Sequence, residues 1–94
     1  MEYYQAVSLK LIERMLLGKE YRKKSQIRDH LGFLEHLANS LNEKVLEQKN
    51  NGILPWETEY ELKKVRELFM KLSEELHNMD LIDLDKNSRR KDLF

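Results

Sequence analysis

The chain has 94 residues, enough for one domain, and its 17 basic residues balance 17 acidic ones. This balance argues against a protein that coats DNA or an anionic membrane with its whole surface, although it leaves room for a local basic patch. Because the chain contains no Cys, a disulfide framework, a thiolate metal site and a thiol nucleophile are all excluded.

The N-terminal segment carries charges along its length, unlike a signal peptide. No apolar run approaches the roughly 18–20 residues that a bilayer span needs. We therefore predict a cytoplasmic protein that does not associate with membranes.

The first predicted helix runs from about Glu2 to Leu17. Gly18 is its expected stop, since Gly accepts the left-handed conformation that often ends a helix. An apolar stripe at helical spacing runs along it, formed by Tyr4, Val7, Leu11 and Met15 and widened by Tyr3, Ile12 and Leu16.

The second predicted helix runs from about Ser25, whose hydroxyl can cap it, to Lys49. Asn50-Asn51-Gly52 is expected to end it. Its apolar residues follow one another at spacings of three and four, which is the pattern of a heptad seam. These residues are Ile27, Leu31, Leu34, Ala38, Leu41 and Val45.

The third predicted helix opens at Thr58, because Thr58 and Glu61 match the T-x-x-E capping box. After Asp80 its apolar pattern gives way to a charged segment. We therefore predict a single helical domain over residues 1–80 and a charged tail over residues 81–94 that need not be ordered. The seam of this helix consists of Leu62, Val65, Phe69, Leu72, Leu76 and Met79.

Two long helices joined by a short connection are expected to lie antiparallel with their seams facing each other. The predicted fold is all-α: an antiparallel helical hairpin with a third, N-terminal helix, which makes a three-helix bundle, followed by the charged C-terminal tail. Further apolar residues beside the seams must be covered by helix 1 or by a partner, which could be a second copy of the chain. They are Leu37, Leu46, Leu68 and Met70.

Leu31-Gly32-Phe33 permits another interpretation, in which the second helix folds sharply at Gly32. The stretch KSQIRDHLGF then resembles the second helix and turn of helix-turn-helix proteins in the winged-helix regulator family. The resemblance implies a recognition helix over residues 34–50, with polar residues facing a DNA groove: His36, Asn39, Ser40 and Asn42. A basic segment over residues 19–28 would contact phosphates through Arg22, Lys23, Lys24 and Arg28, with Tyr21 placed for stacking.

We prefer the continuous helix, although a Gly inside a helix costs about 1 kcal/mol relative to Ala. The seam passes Gly32 without a phase break, and Leu34 stands where the regulators usually have a polar cap. Phe33 then points outward, where it either packs on helix 1 or contacts a partner. The basic segment can equally be a solvated link that faces acidic groups of the same protein.

A catalytic or metal centre is not indicated. His30 and His36 are six positions apart and do not share a helix face, and no P-loop or H-E-x-x-H motif occurs. Ser25-Gln26-Ile27-Arg28-Asp29 resembles the S-Q-x-x-D motif of the small helical-hairpin phosphatases that act on sporulation response regulators, which implies a working Asp29. Here the motif opens a helix instead of lying along one, so we predict no enzyme, cofactor, metal or small-molecule substrate.

The sequence thus favours a small non-enzymatic interaction module, such as an adaptor, inhibitor or regulatory subunit, that presents a helical face to a protein partner and self-associates. Trp56 is either an interface hot spot or an anchor for the connection. The alternative function is a DNA-binding transcriptional regulator of helix-turn-helix type that uses the basic segment and the second helix. The predicted protein contacts are Phe33, Leu37, Leu46, Trp56 and Met70.

Overall fold

The computed structural model describes the backbone of residues 1–92 and the side chains of residues 1–82. Over this part of the chain the secondary structure consists of three α-helices, and no strand occurs. The helices are α1 (Tyr3–Leu17), α2 (Lys24–Asn50) and α3 (Trp56–Asp92). The all-α prediction is confirmed. Across the same residues, none of the helices combines the length and the apolar character needed to cross a bilayer.

α1 ends in a Schellman motif whose left-handed residue is Lys19 (φ 50°), while Gly18 stays right-handed (φ −84°). The N–H of Glu20 donates to the carbonyl of Met15 at 2.9 Å, and the N–H of Lys19 donates to that of Leu16 at 3.3 Å. The predicted end of α1 at Leu17 is confirmed. The left-handed residue, however, lies one position later than we expected.

α2 is one helix of 27 residues that passes through Gly32, so the continuous helix is confirmed and the turn at residues 31–33 is not formed. A Cβ added at Gly32 would meet no heavy atom within 4 Å. In place of the Ser25 cap, the side-chain oxygen of Gln26 accepts the backbone N–H groups of Arg22 at 3.1 Å and Lys23 at 3.2 Å.

The end of α2 is a second Schellman motif, here with glycine in the left-handed position. Gly52 has φ 72°, and the N–H of Ile53 donates to the carbonyl of Gln48 at 2.8 Å. The connection to α3 is therefore a defined turn, which fixes the direction in which the chain leaves α2.

α3 begins at Trp56, two residues before the predicted Thr58 cap. The first helical hydrogen bond runs from the N–H of Glu59 to the carbonyl of Pro55 at 2.8 Å, and Thr58 is buried inside the first turn. At its other end the backbone of residues 81–92 continues the helix. The division into a domain and a tail at residue 80 stays a prediction, and residues 93–94 lie outside the described part.

One hydrophobic core joins the three helices and the α1–α2 link. α2 and α3 pack along much of their length, and α1 packs on α3. The predicted seam residues are buried or half-buried, and all of them except Val45 belong to this core or pack against it. The buried members from all elements are Leu9, Ile12, Tyr21, Ile27, Leu34, Leu37, Leu41, Leu62, Val65, Leu68 and Leu72.

The face that α1 buries differs from the predicted one. Leu9 and Ile12 enter the core, whereas Tyr4, Val7 and Leu11 of the predicted stripe are exposed. α1 carries apolar residues on two faces, and the more regular one points outward. Its periodicity identified the helix but did not decide which side would pack.

Candidate protein-interaction surface

Three of the five predicted protein contacts are on the surface. Leu46 is 56% exposed, Trp56 70% and Met70 64%. Phe33 is half-buried and packs against the core, while its packing on helix 1 in particular stays a prediction.

Leu37 is only 1% exposed, and this corrects its assignment as a surface contact. Leu37 lies on the side of α2 that also carries Lys44 and Gln48, seven and eleven positions further on. Both residues line a cleft with Met1, which lies two residues before the start of α1. Leu37 itself belongs to the core that also contains Leu9 and Ile12 of α1. Leu68 of α3 is buried as well, and it lines a cleft with Leu16 and Leu17.

Large apolar side chains are exposed where α2 passes into α3. We call Ile53, Leu54 and Trp56 the connection surface; Leu54 is 76% exposed. Pro55 is buried between them, so it is Pro55 that anchors the connection to the body of the protein. The interpretation of Trp56 as the anchor is corrected, because its ring faces solvent.

A cleft of about 510 Å³ adjoins the connection surface and adds polar groups to it. Lys44, Glu57 and Glu61 line it, and the amino group of Met1 lies 3.8 Å from Glu61 Oε2. The side-chain oxygen of Gln48 is buried there and has no hydrogen-bond partner among the described residues. Apolar side chains beside hydrogen-bonding groups of both charges are typical of surfaces that bind proteins.

Two side chains of the basic segment contact other groups of the protein. Lys24 Nζ lies 2.7 Å from Asp80 Oδ1, and a guanidinium nitrogen of Arg22 donates to the carbonyl of Lys19 at 3.0 Å. The hydrogen bond from Lys24, followed by the charges of Lys24, Arg28 and His77, lowers the pKa of Asp80. Of the four predicted phosphate contacts, Arg22, Lys23 and Arg28 are exposed and Lys24 is half-buried.

Tyr21 is buried, which corrects the expectation that it could stack on a nucleic acid base. Its hydroxyl oxygen and Nδ1 of His30 are hydrogen-bonded at 2.7 Å, and the two rings meet edge to face with centroids 5.5 Å apart. Burial raises the pKa of Tyr21 to about 12. The pair fastens the α1–α2 link to the side of α2.

The residues with catalytic potential are not brought together. Asp29 of the S-Q-x-x-D match is exposed in the second turn of α2, and His36 is exposed a further two turns along. Over the residues whose side chains are described, no group of three His, Cys, Asp or Glu could hold a metal ion.

A second exposed apolar surface lies on α1, where the sequence predicts a buried stripe. Tyr4 is 60% exposed, Val7 48% and Leu11 39%. Arg14 continues the same line at helical spacing and is also exposed. We call these four residues the α1 outer face. The signal that could have revealed it is the presence of two apolar stripes on one helix, only one of which can face a core.

Comparison of the chain with protein-family models, with curated proteins and with solved structures gave no significant match.

Proposed function

We propose that the protein is a small non-enzymatic interaction module, an adaptor, inhibitor or regulatory subunit, that binds a protein partner through the connection surface and also self-associates. The observation that carries this proposal is the exposure of Leu54 and Trp56 at one end of the molecule. Exposed apolar patches of this kind mark interaction sites, and Trp is enriched among interface hot spots. A cytoplasmic location is part of the proposal.

The proposal includes an antiparallel α2–α3 hairpin with α1 docked on it as a three-helix bundle. Two ion pairs support it. Lys49, near the end of α2, lies 3.6 Å from Glu59, near the start of α3. Lys24, the first residue of α2, pairs instead with Asp80, more than twenty residues into α3. Such a hairpin would hold the connection surface rigidly at its closed end.

Rigidity supports affinity, because a preformed surface loses little conformational entropy when it binds. The buried Pro55 and the Schellman turn at Gly52 fix the backbone on both sides of Leu54. The unpartnered oxygen of Gln48 can accept a hydrogen bond from a backbone or side-chain donor of the partner.

The test is to identify proteins that copurify with the tagged chain and then to measure binding of the purified partner by calorimetry. Trp56→Ala should weaken binding by roughly 30-fold or more, as for a hot spot of 2 kcal/mol. Asn39→Ala, an exposed change on α2, is the control and should leave the affinity unchanged. A partner whose affinity is the same for Trp56→Ala and the parent would contradict the connection surface as the binding site.

The alternative, a DNA-binding regulator of helix-turn-helix type, draws no support from α2, which lacks the bend at Gly32. A mobility shift on duplex DNA at low salt, lost as salt rises, would favour it again.

A further inference from the structure

We infer that the α1 outer face pairs with the same face of a second copy, in antiparallel orientation, to form a two-fold symmetric dimer. This inference rests on the proposed function, in which the protein self-associates, and names the surface and the geometry of that association. The α1 outer face consists of Tyr4, Val7, Leu11 and Arg14, all of them exposed.

The four residues form one continuous line along the helix. They follow at spacings of three, four and three, which is the repeat that keeps side chains on one side of an α-helix. The buried Leu9 is two positions after Val7 and so lies about 200° away around the axis. α1 therefore packs on the protein with one face and leaves the opposite face uncovered.

The face is complementary to itself in the antiparallel orientation. When two copies of α1 are centred midway between Val7 and Leu11, Val7 of each copy lies opposite Leu11 of the other. Tyr4 of each copy then lies opposite Arg14 of the other. This arrangement is isologous, as a two-fold dimer requires.

At each end of the paired helices, the aromatic ring of Tyr4 lies opposite the cation of Arg14 from the other copy. A guanidinium over a tyrosine ring is an attractive cation–π contact, and the exposed ring of Tyr3 flanks the same layer. Among the described residues Arg14 takes part in no ion pair, so it is free to make this contact. A parallel pairing would instead set Arg14 against Arg14 and is disfavoured by charge repulsion.

The size of the surface suits a second copy that binds reversibly. A tyrosine buries roughly 150–250 Å² in an interface, so the α1 outer faces of two copies provide on the order of 1,000 Å² in total. This is at the lower end of specific interfaces. We expect a dimer with a dissociation constant in the micromolar range.

Sedimentation equilibrium of the full chain from about 1 μM to about 1 mM tests the dimer. We expect the mass to rise from that of one copy to that of two, and Val7→Glu to weaken the dimer at least roughly tenfold while circular dichroism stays that of the parent. Leu81→Glu is the matched control, since Leu81 is equally apolar, 50% exposed and on another helix. A dimer lost with Leu81→Glu and kept with Val7→Glu would overturn the inference.

The orientation can be tested by disulfide trapping, because the chain has no Cys of its own. Copies with Tyr4→Cys and copies with Arg14→Cys are mixed in a glutathione buffer. The antiparallel pairing predicts mixed disulfides between the two variants, since two copies of position 4 would lie roughly 15 Å apart along the axis. Preference for disulfides between identical variants would overturn the antiparallel geometry.

The two proposals fail in different ways. If the parent remains a single copy at the highest concentration, the dimer is wrong, while loss of partner binding in Trp56→Ala would still support the connection surface. If Val7→Glu reduces binding of the identified partner and the parent never dimerises, the α1 outer face belongs to that partner and the inference is overturned.

Discussion

At position 19 a lysine holds the backbone conformation that glycine usually supplies. Left-handed φ angles bring the Cβ of an L-residue close to its own backbone and cost roughly 1–2 kcal/mol, whereas glycine has no Cβ. The same motif at the end of α2 has Gly52 in this place. The sequence correctly predicts that α1 ends at Gly18, but it does not reveal that the left-handed residue of the turn is Lys19.

We expect Lys19→Gly to raise the free energy of unfolding by about 0.5–1 kcal/mol, because relief of the strained φ exceeds the added entropy of the unfolded chain. Urea unfolding measures it. Lys19→Ala is the control: it removes the same charge but keeps the Cβ, so it should give no gain. Equal stabilisation by both substitutions would mean that charge, and not backbone strain, is responsible.

The buried Tyr21 gives a dependence on alkaline pH. Its pKa is raised to about 12, above the ordinary tyrosine value of about 10, so the folded state holds the proton more tightly than the unfolded state. The contribution to stability is therefore complete below pH ~10 and is lost as the pH rises from about 10 to about 12.

Ultraviolet titration should show a tyrosine ionisation step near pH 12. Tyr21→Phe should remove this step. A parent protein without a tyrosine step in this pH range would contradict the buried position of Tyr21.

Among the elements, α2 shows that heptad spacing predicts the continuity of a helix better than it predicts where helices begin and end. Its seam passes Gly32 without a phase break, and the helix is continuous there. Burial of the twelve seam residues on α2 and α3 stabilises the helix by more than the single glycine costs. The ends were less predictable. Thr58 has the residue type of a cap, yet it is buried in the first turn, because Pro55 already fixes a backbone angle suited to starting a helix.

Gly32→Ala tests the continuous helix directly. The added methyl group meets open space, and alanine favours a helix over glycine, so we expect the free energy of unfolding to rise by about 1 kcal/mol. Thermal or urea unfolding measures it. Gly52→Ala is the opposite case, since its φ of 72° strains any side chain, and it should lower stability by about 1 kcal/mol. Destabilisation by Gly32→Ala would indicate a turn at Gly32 in solution.

On the scale of the whole molecule, two leucines of one helix show how core and surface separate. Leu37 and Leu46 have the same side chain on the same helix, and both lie beside the predicted seam. Leu37 is buried in the core that α2 shares with α1 and α3, whereas Leu46 is 56% exposed. A single sequence reveals that a third helix must cover apolar surface, but the choice of side depends on contacts between distant parts of the chain.

Leu37→Ala should therefore lower the free energy of unfolding by about 2–5 kcal/mol, the cost of a cavity in a packed core. Leu46→Ala should change it by no more than about 0.5 kcal/mol, as at most surface positions. The comparison uses one substitution type on one helix and is measured by urea unfolding. Similar losses at both positions would mean that Leu46 is covered as well, for example by a second copy of the chain.

The five-residue connection between α2 and α3 also sets the order in which the molecule can assemble. A short loop closes within roughly a microsecond, so in the proposed antiparallel hairpin the two long helices would pair outward from Gly52 and Pro55 before distant parts of the chain meet. α1 must cross from the other end of the sequence to reach α3, and its docking is expected to come last. Until α1 docks, the apolar surface that it covers on the other helices is exposed to solvent during refolding. We expect the chain to be most prone to aggregation in that interval.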